Sequence, residues 1–109
     1  MTVKEIAQKA GLIKVNAGEY ENREVTGCHI GDLLSLVMSK AQSGDAWITI
    51  QGNINVPAVA TLTDAAMVIL AEGIELDDLA KQRAVDQEIC IYSSDKSAFE
   101  LACEIKECL

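Results

Sequence analysis

Apolar positions along the chain alternate between short continuous runs and spacings of three and four residues. The continuous runs are too short for helices and predict buried strands, whereas the longer spacings are typical of helices with one apolar face. The clearest predicted strands cover residues 46–50, 67–70 and 89–92, with a brief one at residues 12–15. The predicted helices cover residues 3–10, 33–41, 56–65, 76–84 and 98–109.

The alternation of strands and helices predicts the fold class. Short turns join the elements, and parallel strands linked by helical crossovers are the economical way to bury such a pattern. We therefore predict an α/β fold with a small, mostly parallel sheet of about four strands and flanking helices. A chain of 109 residues has room for one hydrophobic core, so residues 1–109 are expected to form a single domain.

Polar residues mark where several helices are expected to begin. Thr2 followed by Glu5 fits a capping box, and Asp32 is predicted to be the N-cap of the second helix. Residues 93–95, Ser-Ser-Asp, are predicted to cap the last helix. Residues 16–22 are polar, acidic and contain glycine, which predicts a loop.

Composition and charge restrict the partners that this chain is expected to have. Half of the residues are hydrophobic but only 4% are aromatic, which suits a core of Val, Ile, Leu and Ala. The formal net charge of −8 disfavours neutralisation of phosphates over a broad face, so we expect no nucleic-acid partner. The sequence shows neither the apolar core of a secretory signal nor a run long enough to cross a bilayer. We therefore expect a cytoplasmic protein with no membrane partner.

The four cysteines are expected to be free thiols. Their spacings contain no C-x-x-C, and a cytoplasmic chain meets a reducing environment. We expect Cys28 and Cys90 to be buried in the core and Cys103 and Cys108 to lie on the last helix. The only histidine, His29, adjoins Cys28, but neighbours on a strand point to opposite faces. We therefore expect no metal and no cofactor, and a Cys28-dependent enzyme stays as an alternative.

Loops that follow strands are the places where a ligand is expected. In parallel sheets, ligands collect where the carboxyl ends of strands run into helix N-termini. The first such place covers residues 27–32, Gly-Cys-His-Ile-Gly-Asp, whose glycines allow close approach of the backbone. The second is the turn over residues 51–55, whose amides suit a polar ligand, although an ordinary turn with an Asn cap is favoured there. The third combines residues 71–73 with residues 93–95, where helix capping is expected instead. The candidate ligand-binding residues are Gly27, His29, Gly31, Asp32, Gln51, Gly52, Asn53 and Asn55.

No catalytic residue is predicted from these loops. A nucleophile needs a positioned base, and the numerous carboxylates are expected on solvated helix faces. The sequence also lacks the G-x-x-x-x-G-K-[ST] spacing of a phosphate-binding loop.

Several stretches carry a resemblance to a known family, the stand-alone DRTGG-domain proteins. They are VTGCHIGDLLSLVM at residues 25–38, GDAWITIQ at residues 44–51 and NVPAVA at residues 55–60. The match continues through VIL at residues 68–70 and SAFEL at residues 97–101. The chain thus resembles this family over nearly its whole length after the first strand.

The resemblance implies a compact α/β domain that is also found beside CBS domains in regulatory pyrophosphatases, in some phosphotransacetylases, and in a related form in the N-terminal domain of the HPr kinase. It implies a non-catalytic regulatory or assembly module that forms a homodimer. Relatives fused to CBS domains contact adenine nucleotides, so an adenine-nucleotide or other small-ligand sensor is the alternative function. Stand-alone members resemble those encoded near iron hydrogenase and NADH-dehydrogenase-like subunits, which suggests a redox-enzyme partner. The serine kinase label that some members carry is not supported here, because the phosphate-binding loop is missing.

The chain departs from the family pattern at two places. The Asp-Arg pair of relatives aligns with Asn53 and Ile54, and their Thr-Gly-Gly turn aligns with residues 71–73, Ala-Glu-Gly. Loss of the arginine removes the obvious partner for a phosphate, and Glu72 adds a negative charge. The resemblance therefore implies a neutral or cationic ligand more readily than a polyphosphate.

Overall fold

The computed structural model describes residues 1–18 and 20–109 and contains both strands and helices. Glu19, which falls in the loop predicted over residues 16–22, lies outside the described residues. The helices are α1 (Val3–Lys9), α2 (Leu34–Lys40), α3 (Val56–Thr63), α4 (Asp78–Gln87) and α5 (Ala98–Cys108). The strands are β1 (Ile13–Asn16), β2 (Gly27–Ile30), β3 (Asp45–Thr49), β4 (Met67–Leu70) and β5 (Ile91–Ser93).

The strands form one sheet in the order β1-β5-β4-β3-β2. Strands β2 to β5 are parallel, and β1 pairs antiparallel with β5 through Ile13 and Ser93. The prediction of a mostly parallel α/β sheet is confirmed, but the described residues form five strands and not about four. The strand that is absent from the predicted runs is β2, at one edge of the sheet, whereas the predicted brief strand near the N-terminus is β1, which joins β5 in the opposite direction.

The sheet separates two hydrophobic clusters. The parallel strands β2 to β5 lie side by side in chain order, so the crossover helices α2, α3 and α4 all pack on one face, against Trp47 and Val68. Helices α1 and α5 cover the other face, where Leu101 and Ile105 pack against Ile48. Because β3 and β4 are buried on both faces, they contain continuous apolar runs and not the alternation of a half-exposed strand.

The helix starts show where local prediction succeeded and where it failed. The predicted capping box of α1 is present, with Thr2 and Glu5 exchanging hydrogen bonds. The prediction of Asp32 as the N-cap of α2 is wrong. Leu33 occupies the N-cap position without a side-chain hydrogen bond, and the Asp32 carboxylate accepts a hydrogen bond from Thr49 at the end of β3. Residues 93–95 do not cap α5 either: Ser97 does, in a second capping box with Glu100.

The parallel arrangement brings the ends of β2, β3, β4 and β5 to one edge of the sheet, which we call the carboxyl edge. The loops that follow these strands carry most of the residues that the sequence singles out. Among the described residues, no helix has the length and apolar character that a membrane crossing requires.

Candidate functional site

Asp32 links the ends of two parallel strands at the carboxyl edge. Its Oδ1 accepts a hydrogen bond from the Thr49 hydroxyl at 2.9 Å and another from the Ile50 amide at 2.8 Å. Both donors belong to the end of β3, whereas Asp32 follows β2. The carboxylate therefore holds the first candidate loop against the second.

The turn over residues 51–55 is closed by its own amide groups. The Asn53 Nδ2 donates to Gln51 Oε1 at 3.0 Å, and the Asn55 amide donates to Asn53 Oδ1 at 2.9 Å. The Gly52 carbonyl accepts from the Asp77 amide at 2.8 Å, which ties the turn to the start of α4. These side chains hold the turn in shape, and a ligand at this place would have to compete with their internal hydrogen bonds.

Glycine is required at position 52 because another backbone segment lies against it. A Cβ atom built there would run into the carbonyl oxygen of Glu75. The loop after β4 therefore packs directly on the loop after β3. The close approach brings the second and third candidate loops together along the carboxyl edge.

The remaining candidate residues occupy three different positions around β2. Gly27 begins the strand, at the end opposite the carboxyl edge, where a Cβ atom would lie 2.5 Å from Asp45 Oδ1. His29 lies in the middle of β2, and its Nε2 is buried without a hydrogen-bond partner. Gly31 follows the strand and accepts a hydrogen bond from Trp47 Nε1 at 2.9 Å. The structure thus brings Gly31 and Asp32 together with the turn over residues 51–55, and it places Gly27 apart from them.

A cavity of about 450 Å³ opens at the carboxyl edge, on the side of β4, β5 and β1. Its apolar wall is formed by Ile13 and Val15 of β1 and by Ile74 and Leu76 of the loop before α4. The floor is held by backbone bonds across the third candidate loop, since the Gly73 amide donates to the Ser94 carbonyl at 2.9 Å.

The polar groups of this cavity carry both signs of charge. Lys14 and Lys81 contribute ammonium groups, and Glu75 and Asp95 contribute carboxylates. Lys14 is paired with Glu21 at 2.7 Å, outside the lining, whereas Lys81 lies 3.8 Å from Asp78. Ser93 adds a hydroxyl from the end of β5. The mixed charge suits a neutral or zwitterionic molecule better than a polyanion.

The sequence singled out four of the eleven residues that line this cavity, Gly73 and residues 93–95, and predicted that they serve in helix capping. The wall from Ile13 and Val15 was missed, because only the antiparallel pairing of β1 with β5 places these residues beside Ser93. No spacing along the chain carries that signal.

Cys28 is the residue on which the alternative of a cysteine-dependent enzyme rests. Cys28 was expected in the core, but it lies on the edge strand β2 and is exposed, whereas Cys90 is buried as predicted. Desolvation of the thiol, followed by the negative charge of Asp45, raises the pKa of Cys28 to about 11. The thiolate needed for nucleophilic attack is therefore scarce at neutral pH.

Among the described residues, no group of three or more His, Cys, Asp or Glu side chains is placed to bind a metal ion.

Two comparisons of the sequence, one with protein-family models and one with curated proteins, find no match. A comparison with solved structures finds the CBS and DRTGG domains of the regulatory region of a Clostridium perfringens pyrophosphatase, complexed with its activator diadenosine tetraphosphate. The superposition has a TM-score of 0.73 at 12% sequence identity and covers 95% of this chain and 45% of the neighbour. This chain therefore spans less than half the length of that neighbour. The chain has a DRTGG-like α/β fold, which confirms the resemblance at the level of the fold.

Proposed function

We propose that this chain is a regulatory module that binds a small ligand in the cavity at the carboxyl edge, and that it is not an enzyme. The cavity between β4, β5 and β1 is the observation that carries this proposal, because it combines an apolar wall with a few polar groups, as ligand sites do. The scarcity of thiolate at Cys28 supports a binding function over catalysis.

The charges around the cavity favour a neutral or zwitterionic ligand. Glu75 and Asp95 stand beside the two lysines, and Glu72 lies in the adjoining turn. A polyphosphate would meet these carboxylates and a chain of net charge −8. An adenine nucleotide is the second candidate ligand, since the solved neighbour binds diadenosine tetraphosphate.

We further propose that the module works as a homodimer and assembles with a redox enzyme. The resemblance of stand-alone DRTGG proteins to those encoded near iron hydrogenase and NADH-dehydrogenase-like subunits suggests the second partner. Exposed large apolar residues on several elements support the existence of protein contacts.

Thermal unfolding with three probes tests the ligand proposal. We expect adenosine at about 1 mM to raise the melting temperature more than ATP or diadenosine tetraphosphate does. A Kd of about 0.1 mM would add about 1.4 kcal/mol, which shifts the melting temperature of a small domain by several degrees. A larger shift with ATP would favour the nucleotide sensor. No shift with any probe would contradict this ligand proposal and leave protein partners as the function.

Variants show whether the probe occupies this cavity. Ser93→Tyr fills the space at the end of β5 and is expected to abolish the shift. Lys81→Glu should reduce the melting-temperature shift only for the anionic probes. Arg83→Glu, two residues further along α4 and outside the lining, should leave the shift unchanged for every probe. A shift that survives Ser93→Tyr in a folded protein would place the ligand elsewhere.

A further inference from the structure

Charged residues are distributed unevenly between two parts of the chain. The chain contains nine Lys and Arg residues and seventeen Asp and Glu residues. Only two of these charged residues, Lys40 and Asp45, fall within residues 33–63. These two charges have opposite sign, so the whole net charge of −8 comes from the rest of the chain. Asp45 is buried, and its Oδ2 accepts a hydrogen bond from the Gln42 amide at 2.8 Å. Lys40 is thus the one exposed charge of this stretch.

The fold collects the exposed part of this stretch on two neighbouring helices. Helices α2 and α3 pack side by side over the same face of the sheet. Their outward positions include Leu36, Met38, Ala58 and Leu62, and Leu62 is 73% exposed. We call the outward surface of α2 and α3, marked by these four residues, the neutral face.

The exposed side of helix α3, where Thr61 and Leu62 lie, carries no charge. Its sequence, VPAVATLT, contains no charged residue, although it is one of three helices that cover this face of the sheet. Helices that are apolar nearly all round are usually covered on both sides. Helix α4 beside it shows the contrast, since its exposed positions carry Lys81, Arg83 and Asp86.

We propose that the neutral face is the surface through which a second copy of this chain docks. The inference rests on the homodimer proposed above and adds where its interface lies. Two copies each carry a net charge of −8, so contact through surfaces rich in carboxylates sets like charges against each other, whereas the only charge that residues 33–63 expose is Lys40. A two-fold axis through the neutral face places the exposed apolar positions of both copies in contact, and the helices that form it carry Lys40 as their single charge. The Debye length of about 8 Å at physiological salt then screens most of the remaining repulsion.

The opposite side of the sheet supplies a competing surface. Ile30 on the edge strand β2 is half exposed, and Phe99 at the start of α5 is 77% exposed. Whereas α2 and α3 carry only Lys40, α5 carries ionisable side chains at Glu100, Glu104, Lys106 and Glu107. A second copy that docked there would bring these acidic positions together, so we assign the interface to α2 and α3.

Sedimentation velocity of the full chain over about 10–300 µM tests the proposal. We expect the wild-type chain to associate to twice 11.7 kDa and to associate more strongly when salt rises from about 0.05 M to about 0.5 M, because salt screens the repulsion between the copies. Leu62→Glu and Met38→Glu should each weaken association about tenfold or more, since they place a carboxylate in the contact. Leu79→Glu, on an exposed residue of α4, and Phe99→Glu should change it less than about twofold. Circular dichroism of each variant confirms that it is folded.

The outcomes separate the interface from the homodimer. A wild-type chain that stays at 11.7 kDa at the highest concentration and salt contradicts the homodimer itself. A dimer that resists both Leu62→Glu and Met38→Glu overturns the neutral face while the homodimer stands. A dimer that dissociates only with Phe99→Glu places the interface on α5 and β2.

Discussion

Asp32 shows how a single side chain joins two strands that are distant in sequence. Asp32 lies just before the N-cap residue of α2, and its carboxylate accepts hydrogen bonds from the hydroxyl of Thr49 and the amide of Ile50 instead of from that helix. The two bonds fix the carboxyl ends of β2 and β3 relative to each other. The residue is thus a structural part of the carboxyl edge in the absence of any ligand.

We expect Asp32→Ala to lower the free energy of unfolding by about 1–3 kcal/mol, because two donors at the end of β3 lose a charged acceptor. Asp32→Asn keeps an oxygen at that position and should cost less. Urea denaturation measures both. Asp95→Ala is the matched control, since Asp95 is exposed like Asp32 and its side chain forms no hydrogen bond among the described contacts. Equal stability of the Asp32→Ala and Asp95→Ala variants would contradict the structural role.

At the scale of elements, helix α5 depends on both its start and its buried face. Ser97 and Glu100 exchange hydrogen bonds in a capping box, which satisfies amides that have no partner inside the helix. Leu101 and Ile105, one turn apart, are fully buried against the sheet. Since α5 covers β2 and β3, loosening its first turn would expose the face of the sheet that α1 and α5 cover.

We expect Ser97→Ala to reduce the free energy of unfolding by about 1 kcal/mol, the usual effect of losing an N-cap oxygen. The measurement is chemical denaturation followed by circular dichroism. Ser35→Ala serves as the control, because Ser35 is exposed on α2 and caps nothing. If both variants lose the same stability, the capping box contributes nothing specific to α5.

At the scale of the whole molecule, Glu21 connects the segment before β2 to the sheet. Its Oε1 accepts from Lys14 Nζ on β1 at 2.7 Å and from the Tyr92 hydroxyl on β5 at 3.0 Å. The hydrogen bonds from Lys14 and then Tyr92 hold the pKa of Glu21 below its usual value of 4.5. A carboxyl group whose pKa is lower in the folded protein stabilises the fold at pH values above its pKa in the unfolded chain. That contribution is lost as the pH falls through the pKa of the folded state.

We therefore expect part of the stability to disappear below about pH 4.5 through protonation of Glu21. Glu21→Gln should be less stable than the wild type at pH 7, and the difference should shrink as pH falls toward 3. Denaturation at a series of pH values measures it. Glu107→Gln, at an exposed position of α5, should show the same pH dependence of stability as the wild type. A difference for Glu21→Gln that is the same at pH 3 and pH 7 would show that its ionisation is not the cause.

The local structure and the class of the fold follow from the pattern of side chains along the chain. The continuous apolar runs of β3 and β4 predict strands buried on both faces, and helical spacing predicts each of the five helices. The capping box of Thr2 and Glu5 was also predictable, because both partners lie within one turn. These features depend on side-chain periodicity and on contacts between near neighbours, which a linear sequence displays directly.

The tertiary structure alone decided which distant segments meet. It reversed the direction of β1, so that Ile13 and Val15 became a wall of the cavity, and it turned Asp32 from a predicted helix cap into a link between two strands. It also gathered the uncharged residues of α2 and α3 on one outward surface, although the shortage of charges was visible in the sequence. The reason is physical: the pairing of β1 with β5 and the choice of partners for Asp32 depend on packing between residues far apart in the chain, which no local pattern specifies.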